Sequence, residues 1–193
     1  MITHPIEPIY NQKSKILILG SFPSVKSREE GFFYGHPQNR FWKVLAAIFN
    51  ENIPQTIQEK KEFLLNNKVA VWDVIHSCEI TGSSDSSIKN VEVNDLTRIL
   101  NTADIKQIFV NGKKAYSLYN KYMKQIVMKE AICLQNVRNI KIQIQHRPVL
   151  KRRKKALPAI QAVQKAAHHP VLPVPLPAQV PVRHRLHLLR QLK

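Results

Sequence analysis

The chain has 193 residues, enough for one domain with a substantial core and too few for two full domains. It has no secretory leader pattern and no apolar run long enough to cross a bilayer, so we expect a cytoplasmic protein with no membrane contact. Its 2 cysteines, Cys78 and Cys133, lie far apart, which excludes a disulfide framework and argues against a zinc site.

The net charge of +17 is distributed unevenly along the chain. All 13 acidic residues and 17 of the 30 basic residues precede residue 131, so residues 1–130 carry only +4 and the remainder carries +13. Residues 131–193 contain no Asp or Gly, but 7 of the 12 prolines. This change predicts a domain over residues 1–134, followed by a basic, Pro-rich tail over residues 135–193 that is extended or disordered.

Four short apolar runs are typical of buried strands. They cover residues 16–19, 69–72, 107–110 and 131–134. Helical patterns separate the first three runs, and strands that alternate with helices favour a parallel sheet covered on both faces. The sequence therefore predicts an α/β fold, a three-layer α/β/α sandwich with a short four-stranded parallel sheet.

Four helical patterns lie between and after these strands. The first begins near Asn39, and the second is announced by the capping-box spacing of Thr56-Ile57-Gln58-Glu59. The first helix has an apolar face of Phe41, Leu45, Ile48 and Phe49. The apolar faces of the third and fourth helices contain Leu96, Ile99, Leu100 and Ala103, and Ala115, Leu118, Tyr119 and Tyr122. Ligands of such sheets bind beyond the carboxyl ends of the strands, here in loops at residues 20–30, 73–87 and 111–112 and after residue 134.

The first of these loops begins with Gly20-Ser21-Phe22-Pro23-Ser24. A glycine there lets the backbone approach a ligand, although a tight structural turn explains the pentapeptide equally well. The loop lacks the further glycines of a dinucleotide fingerprint and the Gly-Lys ending of a phosphate loop. We therefore expect no nucleotide cofactor.

The next segment is rich in aromatic residues and reads Phe32-Phe33-Tyr34-Gly35-His36-Pro37-Gln38-Asn39-Arg40-Phe41-Trp42. Tyr34 offers a stacking face for a base turned out of a duplex, and the Asn39 amide can hold a water molecule. The alternative is that the aromatics are core residues and that Asn39 is an ordinary helix cap.

These two segments resemble the hypoxanthine-DNA glycosylase branch of the uracil-DNA glycosylase superfamily. Trp72-Asp73-Val74-Ile75, residues 83–88 and residues 109–115 share the resemblance, which covers residues 14 to about 134. It implies a hydrolase of N-glycosidic bonds. No Lys is obviously placed for a Schiff base, so we expect a monofunctional enzyme that needs no metal or cofactor and acts as a monomer. The implied substrate is double-stranded DNA that contains a deaminated base, namely hypoxanthine, uracil or xanthine.

The resemblance also implies a catalytic residue. In the mismatch-specific branches an Asn in the first-strand loop positions the attacking water, and that slot holds Phe22 here. The hypoxanthine branch is thought to use the Asn of its Asn-Arg-Phe-Trp motif, which is Asn39. Residues expected to bind the substrate are Gly20, Ser21, Phe22, Pro23, Tyr34 and His36. Residues expected to bind DNA are Ser24, Lys26 and Arg40, although solvated surface explains the two cations equally well.

Other polar residues at the same edge have two interpretations. Asp73 could tune the pocket, but capping of nearby loop amides is favoured. His36 and His76 could donate a proton to a leaving purine, although loop packing is favoured. Asn111 and Gly112 favour a turn, and the second interpretation is a contact with the pocket.

Relatives follow the fourth strand with a Pro-Ser-x-Ser-Pro-Ala loop that fills the space left by the flipped base. This chain has Gln135-Asn136-Val137-Arg138 instead. The motif, the acids and the glycines end together, which favours a frame change or a foreign sequence joined in the coding DNA. Activity would then be weakened or lost.

Two other functions compete with this interpretation. A non-enzymatic nucleic-acid-binding protein would use the basic cluster at residues 151–155 for salt-dependent affinity. An acyl hydrolase using Ser21 or Ser24 is disfavoured because no Gly-x-Ser-x-Gly elbow is present.

Overall fold

Two sheets and six helices make up the part of the chain that the structure describes. The computed structural model describes residues 1–133 and 141–145. The strands are β1 (Ile2–Thr3), β2 (Ile16–Gly20), β3 (Val69–Asp73), β4 (Ile75–Glu79), β5 (Lys89–Val93), β6 (Gln107–Asn111) and β7 (Lys141–Gln145). The helices are α1 (Val25–Glu30), α2 (Phe41–Phe49), α3 (Ile57–Asn66), α4 (Thr97–Leu100), α5 (Lys113–Leu118) and α6 (Lys124–Cys133).

The larger sheet has four parallel strands in the order β3-β2-β6-β7. The connection from β2 to β3 runs towards one edge of the sheet, and the connections from β3 to β6 and from β6 to β7 run towards the opposite edge. Right-handed crossovers then place α1, α2 and α3 on one face and α4, α5 and α6 on the opposite face. The predicted three-layer sandwich is confirmed.

The first three predicted strands are also confirmed. Every residue of β2 and β3 is buried, as expected for strands covered on both faces. Each of the three strands continues one residue beyond its apolar run. The added residues are Gly20, Asp73 and Asn111, which all lie at the carboxyl edge of the sheet.

The prediction of a fourth strand at residues 131–134 is wrong. Residues 131–133 belong to α6, and β7 pairs with β6 in a register that joins Gln107 to Lys141. The apolar run at this point is too short to distinguish a helix from a strand, and neither Gly nor Pro interrupts residues 113–133. A π-helical turn at Tyr119–Met123 connects α5 to α6 and keeps the segment helical.

The sheet therefore extends beyond the predicted domain boundary at residue 134. Residues 134–140 and 146–193 lie outside the described residues, and with them Gln135-Asn136-Val137-Arg138 and the basic cluster at residues 151–155. The predicted tail and the frame change stay predictions.

Two predicted loops contain regular structure. The loop at residues 73–87 includes β4, which pairs antiparallel with β1 and β5 in a three-stranded sheet. The Asn94 side chain donates to the backbone carbonyls of Asp73 and Ile75 at 3.0 Å each, so it fixes the sharp passage from β3 to β4. The loop at residues 20–30 includes α1, which Ser24 caps by accepting a hydrogen bond from the Ser27 amide.

The predicted capping box at the start of α3 is confirmed. The Thr56 hydroxyl accepts from the Glu59 amide at 3.1 Å, and the Glu59 carboxylate accepts from the Thr56 amide at 3.2 Å. Within residues 1–133, no helix has both the length and the apolarity needed to cross a lipid bilayer.

Replacement of Thr56 by Ala should lower the free energy of unfolding by about 1 kcal/mol, because the first turn of α3 loses a cap. Urea denaturation followed by circular dichroism measures the change. The control is Gln58→Ala on the same helix, which removes only an exposed hydrogen bond to Glu62 and should cost less than about 0.5 kcal/mol. Equal effects of the two substitutions would contradict the capping role.

Candidate active site

The candidate site lies where β2 and β6 end side by side. After β2 the chain turns towards the helices of one face, and after β6 it turns towards the helices of the other face. The two loops separate at this point, which is the position where open parallel sheets bind ligands. The polar residues that converge there are Tyr34, Asp73 and Asn111, around Gly20.

Gly20 permits a close approach of the Asp73 side chain. The two residues are register partners in β2 and β3, and a Cβ at position 20 would overlap Asp73 Oδ1. The same Cβ would lie 3.4 Å from the Tyr34 hydroxyl. Only glycine therefore leaves room for the carboxylate to lie over the end of β2, whereas the phenol would be in ordinary contact with the added atom.

Asp73 is held by a histidine from the first residues of the chain. His4 Nε2 lies 2.9 Å from Asp73 Oδ2, and the two side chains are only 1% and 6% exposed. His4 Nδ1 accepts a hydrogen bond from the Ile6 amide at 3.2 Å, which places the ring proton on Nε2. A neutral His4 therefore donates to the Asp73 carboxylate.

Tyr34 joins the aromatic segment to β6. Its backbone lies in the left-handed region at φ 52°, which is uncommon for a residue with a bulky side chain. Its ring stacks on Phe41 with centroids 3.7 Å apart, and its hydroxyl accepts from Asn111 Nδ2 at 3.2 Å. Strained backbone of this kind is concentrated at functional sites.

The surroundings of Tyr34 keep its hydroxyl protonated. Burial raises the pKa of Tyr34 well above its usual range, and the negative charge of Asp73 raises it further. The hydrogen bond from Asn111 lowers the pKa and only partly offsets these effects. The hydroxyl is therefore a hydrogen-bond donor at every physiological pH.

The loop after β2 is tied to the loop between β4 and β5. Ser21 Oγ donates to Asp85 at 2.8 Å, and the Val25 amide donates to Ser83 Oγ at 2.9 Å. The Arg28 guanidinium donates to the Pro23 carbonyl at 2.7 Å and reaches the Gly82 carbonyl at 3.4 Å. These contacts hold the backbone of residues 20–24 in place.

Phe22 faces away from solvent. Its ring is 9% exposed, meets the edge of the His4 ring at 5.7 Å and lies under the Arg28 guanidinium. Its side chain is part of the packing that surrounds His4, so only its backbone can face a ligand.

Asn39 lies at the entrance to α2 and is exposed. Its Oδ1 accepts from the Phe41 amide at 2.9 Å, which closes a local turn just before α2. The N-cap of α2 is Arg40, which makes no side-chain capping bond, so the ordinary cap expected at Asn39 is not observed. Phe41 in turn stacks on Tyr34, which links Asn39 to the residues around Gly20 through two contacts. Among the described residues, the Asn39 amide nitrogen has no hydrogen-bond acceptor.

The other predicted contact residues lie on the surface of the same region. His36 is exposed, and its Nδ1 accepts from the Gln38 amide. Arg40 is exposed and precedes α2. Lys26 lies 3.4 Å from Glu29 and 3.9 Å from Glu30, which partly neutralise it. Their contacts with DNA stay predictions.

The residues that sequence reasoning missed are His4 and Asn94. His4 lies 69 residues from Asp73 in the chain, and no local pattern marks it. Asn94 gives no signal either, because its partners are backbone carbonyls. In the described ranges, no group of three or more His, Cys, Asp or Glu side chains is arranged to hold a metal ion.

Comparisons with known proteins agree with the resemblance seen in the sequence. The family model described as the uracil DNA glycosylase superfamily matches residues 7–191. A hypoxanthine DNA glycosylase from Methanosarcina barkeri is 36% identical over 110 residues, which are 56% of this chain and 70% of that protein. A hypoxanthine DNA glycosylase from Methanosarcina acetivorans is 34% identical over 117 residues, which are 60% and 74% of the two chains.

A solved structure shares the fold. It is a solution NMR structure of a protein from Methanosarcina acetivorans, described as a candidate uracil DNA glycosylase. The TM-score is 0.66 at 25% identity, and the alignment covers 87% of this chain and 100% of the other.

The raised pKa of Tyr34 predicts a pH-dependent contribution to stability. Above about pH 10 the phenol ionises in the unfolded chain but not in the folded one, so the free energy of unfolding of the wild-type protein falls. Tyr34→Phe has no ionisable group at this position and does not show this decrease. The free-energy gap between wild type and Tyr34→Phe should fall by up to about 1.4 kcal/mol per pH unit above pH 10. Urea denaturation of both proteins between about pH 8 and pH 11 measures it, and a constant gap would contradict the burial of this hydroxyl.

Proposed function

The chain belongs to the uracil DNA glycosylase superfamily, and we propose that it hydrolyses the N-glycosidic bond of a deaminated base, hypoxanthine foremost, in double-stranded DNA. The base must leave the stack before water can reach its glycosidic carbon. We also propose that the protein acts as a cytoplasmic monomer. The observation that carries the proposal is the placement of Asn39 at the entrance to α2, next to the aromatic residues that lead to the carboxyl edge.

The carboxyl edge suits an extruded base. Gly20 leaves space over the end of β2, and acceptor and donor groups from Asp73, Asn111 and Tyr34 surround that space. The backbone of residues 20–24 is fixed by its contacts with the neighbouring loop, so its polar groups are preorganised. A preorganised polar site stabilises the charge that develops on a departing base.

Asn39 can hold the turn before α2 and act as a catalytic residue at the same time. A carbonyl oxygen has two lone pairs, of which the Phe41 amide uses one. The second lone pair and the amide nitrogen can together hold a water molecule. Because the hydrogen bond from the Phe41 amide fixes the rotamer of the Asn39 side chain, the same bond would orient that water.

Phe22 strengthens the assignment of Asn39. In the mismatch-specific branches the resemblance implies a water-positioning Asn at this slot, and here the slot holds a buried phenyl ring. The task of positioning water then requires another residue near the same edge. Asn39 is exposed and has the chemistry for it.

Water is the proposed nucleophile. Within the described part of the chain, the side chains that meet above Gly20 are a carboxylate and a phenol, with the Asn111 amide beyond the phenol. None of these groups is an amine that could form a Schiff base with the sugar. The proposal is therefore a monofunctional glycosylase.

The loop that fills the duplex in relatives has no counterpart in this sequence. It would follow β7, where the chain reads His146-Arg147-Pro148-Val149 instead of Pro-Ser-x-Ser-Pro-Ala. Those residues lie outside the described ranges. A protein without this wedge would depend on its base pocket alone to retain the flipped nucleotide. Its rate of base release would then be low.

Replacement of Asn39 by Ala should reduce hypoxanthine release from a deoxyinosine duplex by at least about 100-fold, because positioned water is lost. The measurement is the single-turnover rate of hypoxanthine release from that duplex. Asn39→Ser keeps an acceptor oxygen for the Phe41 amide and separates local stability from chemistry.

The control for this experiment is Asn52→Ala, which removes another exposed asparagine from the loop between α2 and α3. It should leave release unchanged. Undiminished activity in both Asn39 variants would remove this residue from the catalytic role.

The basic segment after residue 145 favours a second candidate, a non-enzymatic nucleic-acid-binding protein. Most of the net charge lies after residue 130, and neutralised phosphates release counterions. This candidate predicts affinity for any duplex without base release.

Substitution of glutamine for all five residues 151–155 discriminates between the two candidates. A glycosylase should keep its single-turnover rate of base release at saturating protein. Its affinity for an undamaged duplex should fall, and the slope of log affinity against log salt concentration should become shallower by up to about 4 to 5. Fluorescence anisotropy across salt concentrations measures the slope. If the wild type binds duplexes but releases no base, and the substituted protein no longer binds, the second candidate is supported instead.

A further inference from the structure

The Asp73 carboxylate has one oxygen engaged and one available. Oδ2 accepts the hydrogen bond from His4, while Oδ1 points towards Gly20 and the Tyr34 hydroxyl. Within the described residues, no other side chain bonds to this carboxylate. Such a group is an acceptor that lacks its donor.

We propose that Asp73 Oδ1 accepts the ring N–H that deamination creates in a base, and that this contact makes Asp73 the residue that admits hypoxanthine and rejects adenine. The inference rests on the proposed function and identifies the chemical class of its substrate. That class is a six-membered ring with a lactam edge, an N–H beside a carbonyl.

Deamination exchanges the hydrogen-bond donor and acceptor positions on the edge of the base that such a site contacts. Adenine presents a bare N1 acceptor beside an amino donor, whereas hypoxanthine presents N1–H beside a carbonyl. Cytosine and uracil differ in the same way at N3. A carboxylate can only accept, so it pairs with the lactam N–H and faces a lone pair when the unmodified base enters.

Tyr34 completes a matching pair of groups. Its oxygen accepts from Asn111, so its own hydrogen is directed elsewhere, and the hydroxyl lies beside Asp73 at the end of β2. An acceptor next to a donor is complementary to a lactam, whose N–H and carbonyl are adjacent. The same pair is mismatched to adenine at both positions.

His4 acts as a positioning residue for this acceptor. It is neutral, because Nδ1 accepts from the Ile6 amide. It therefore fixes the carboxylate without the full positive charge of a Lys or Arg, which would compete for Oδ1. In the described part of the chain, His4 is the only basic side chain within ion-pair distance of Asp73.

Asp73 does not discriminate against every normal base. Guanine and thymine already carry a lactam N–H, so their exclusion must come from other contacts. The proposal is restricted to hypoxanthine against adenine and uracil against cytosine, and its test uses this restriction.

The experiment compares wild type with Asp73→Asn on two duplexes, one with deoxyinosine and one with deoxynebularine, whose base lacks both N1–H and the carbonyl. Asp73→Asn keeps the shape of the side chain but removes its charge. Base release from deoxyinosine should fall about 10- to 100-fold, since hydrogen bonds to charged groups are the strong ones. Release from deoxynebularine should change less than about 3-fold, because that base offers no hydrogen for the carboxylate to accept.

The comparison removes two confounding effects. The leaving ability of each base cancels because both proteins act on the same substrate. A merely structural role for Asp73 would reduce release from both duplexes equally, and that result would overturn the proposal. Asp104→Asn is the matched control, since Asp104 pairs with Lys15 and Lys106 before β6, at the opposite edge of the sheet.

Binding of free bases separates this inference from the proposed function. NMR titration of wild type should show tighter binding of hypoxanthine than of adenine, and Asp73→Asn should lose at least about 10-fold of that preference. If wild type releases no base from any duplex but shows this preference, the proposed function fails and the inference stands. If wild type shows no preference, or Asp73→Asn retains it, the inference is overturned.

Discussion

The close approach of Asp73 to Gly20 is the contact on which the organisation of this site depends. A carboxylate at the end of a buried strand is stable only if hydrogen-bond donors replace the water that it loses. The structure supplies that donor from His4, near the start of the chain and 69 residues away from Asp73. This requirement explains why β1 joins the sheet of β4 and β5 and why Phe22 packs against the His4 ring. Burial of one charge therefore draws the first residues of the protein, the loop after β2 and the passage from β3 to β4 into a single arrangement.

Local physics predicted the parallel part of the fold well. The residues of β2, β3 and β6 form short apolar runs because helices cover both faces of the sheet, and the α3 capping box is formed by Thr56 and Glu59, which are three residues apart. The three-stranded antiparallel sheet could not be predicted in this way. It pairs the first residues with β4 and depends on Asn94, whose bonds to backbone carbonyls leave no trace in a sequence pattern. The error at residues 131–134 has another origin, since a short apolar run satisfies a helix and a strand equally.

The candidate site shows the same division. The sequence placed Gly20, Tyr34 and Asn39 in one region, because a resemblance of linked motifs carries information about distant residues. It favoured a capping role for Asp73, and the structure shows instead a carboxylate with one oxygen unused above Gly20. Asn39 illustrates a further point, because a local hydrogen bond to the Phe41 amide does not compete with the proposed catalytic role. An amide has enough lone pairs and hydrogens to serve both, and a hydrogen-bonded side chain is better positioned for chemistry than a mobile one.

The proposed loss of the wedge loop would change what the base pocket must accomplish. In a duplex, an extruded nucleotide returns to the stack unless something occupies its place or retains the base. Where no loop fills the gap, the retaining interactions must come from the pocket, and each must favour the damaged base over the normal one. A donor beside an acceptor, held by Tyr34 and Asp73, meets both needs because it binds a lactam edge and repels an amidine edge. Selectivity and retention then have the same physical source, so loss of the carboxylate charge would weaken them together.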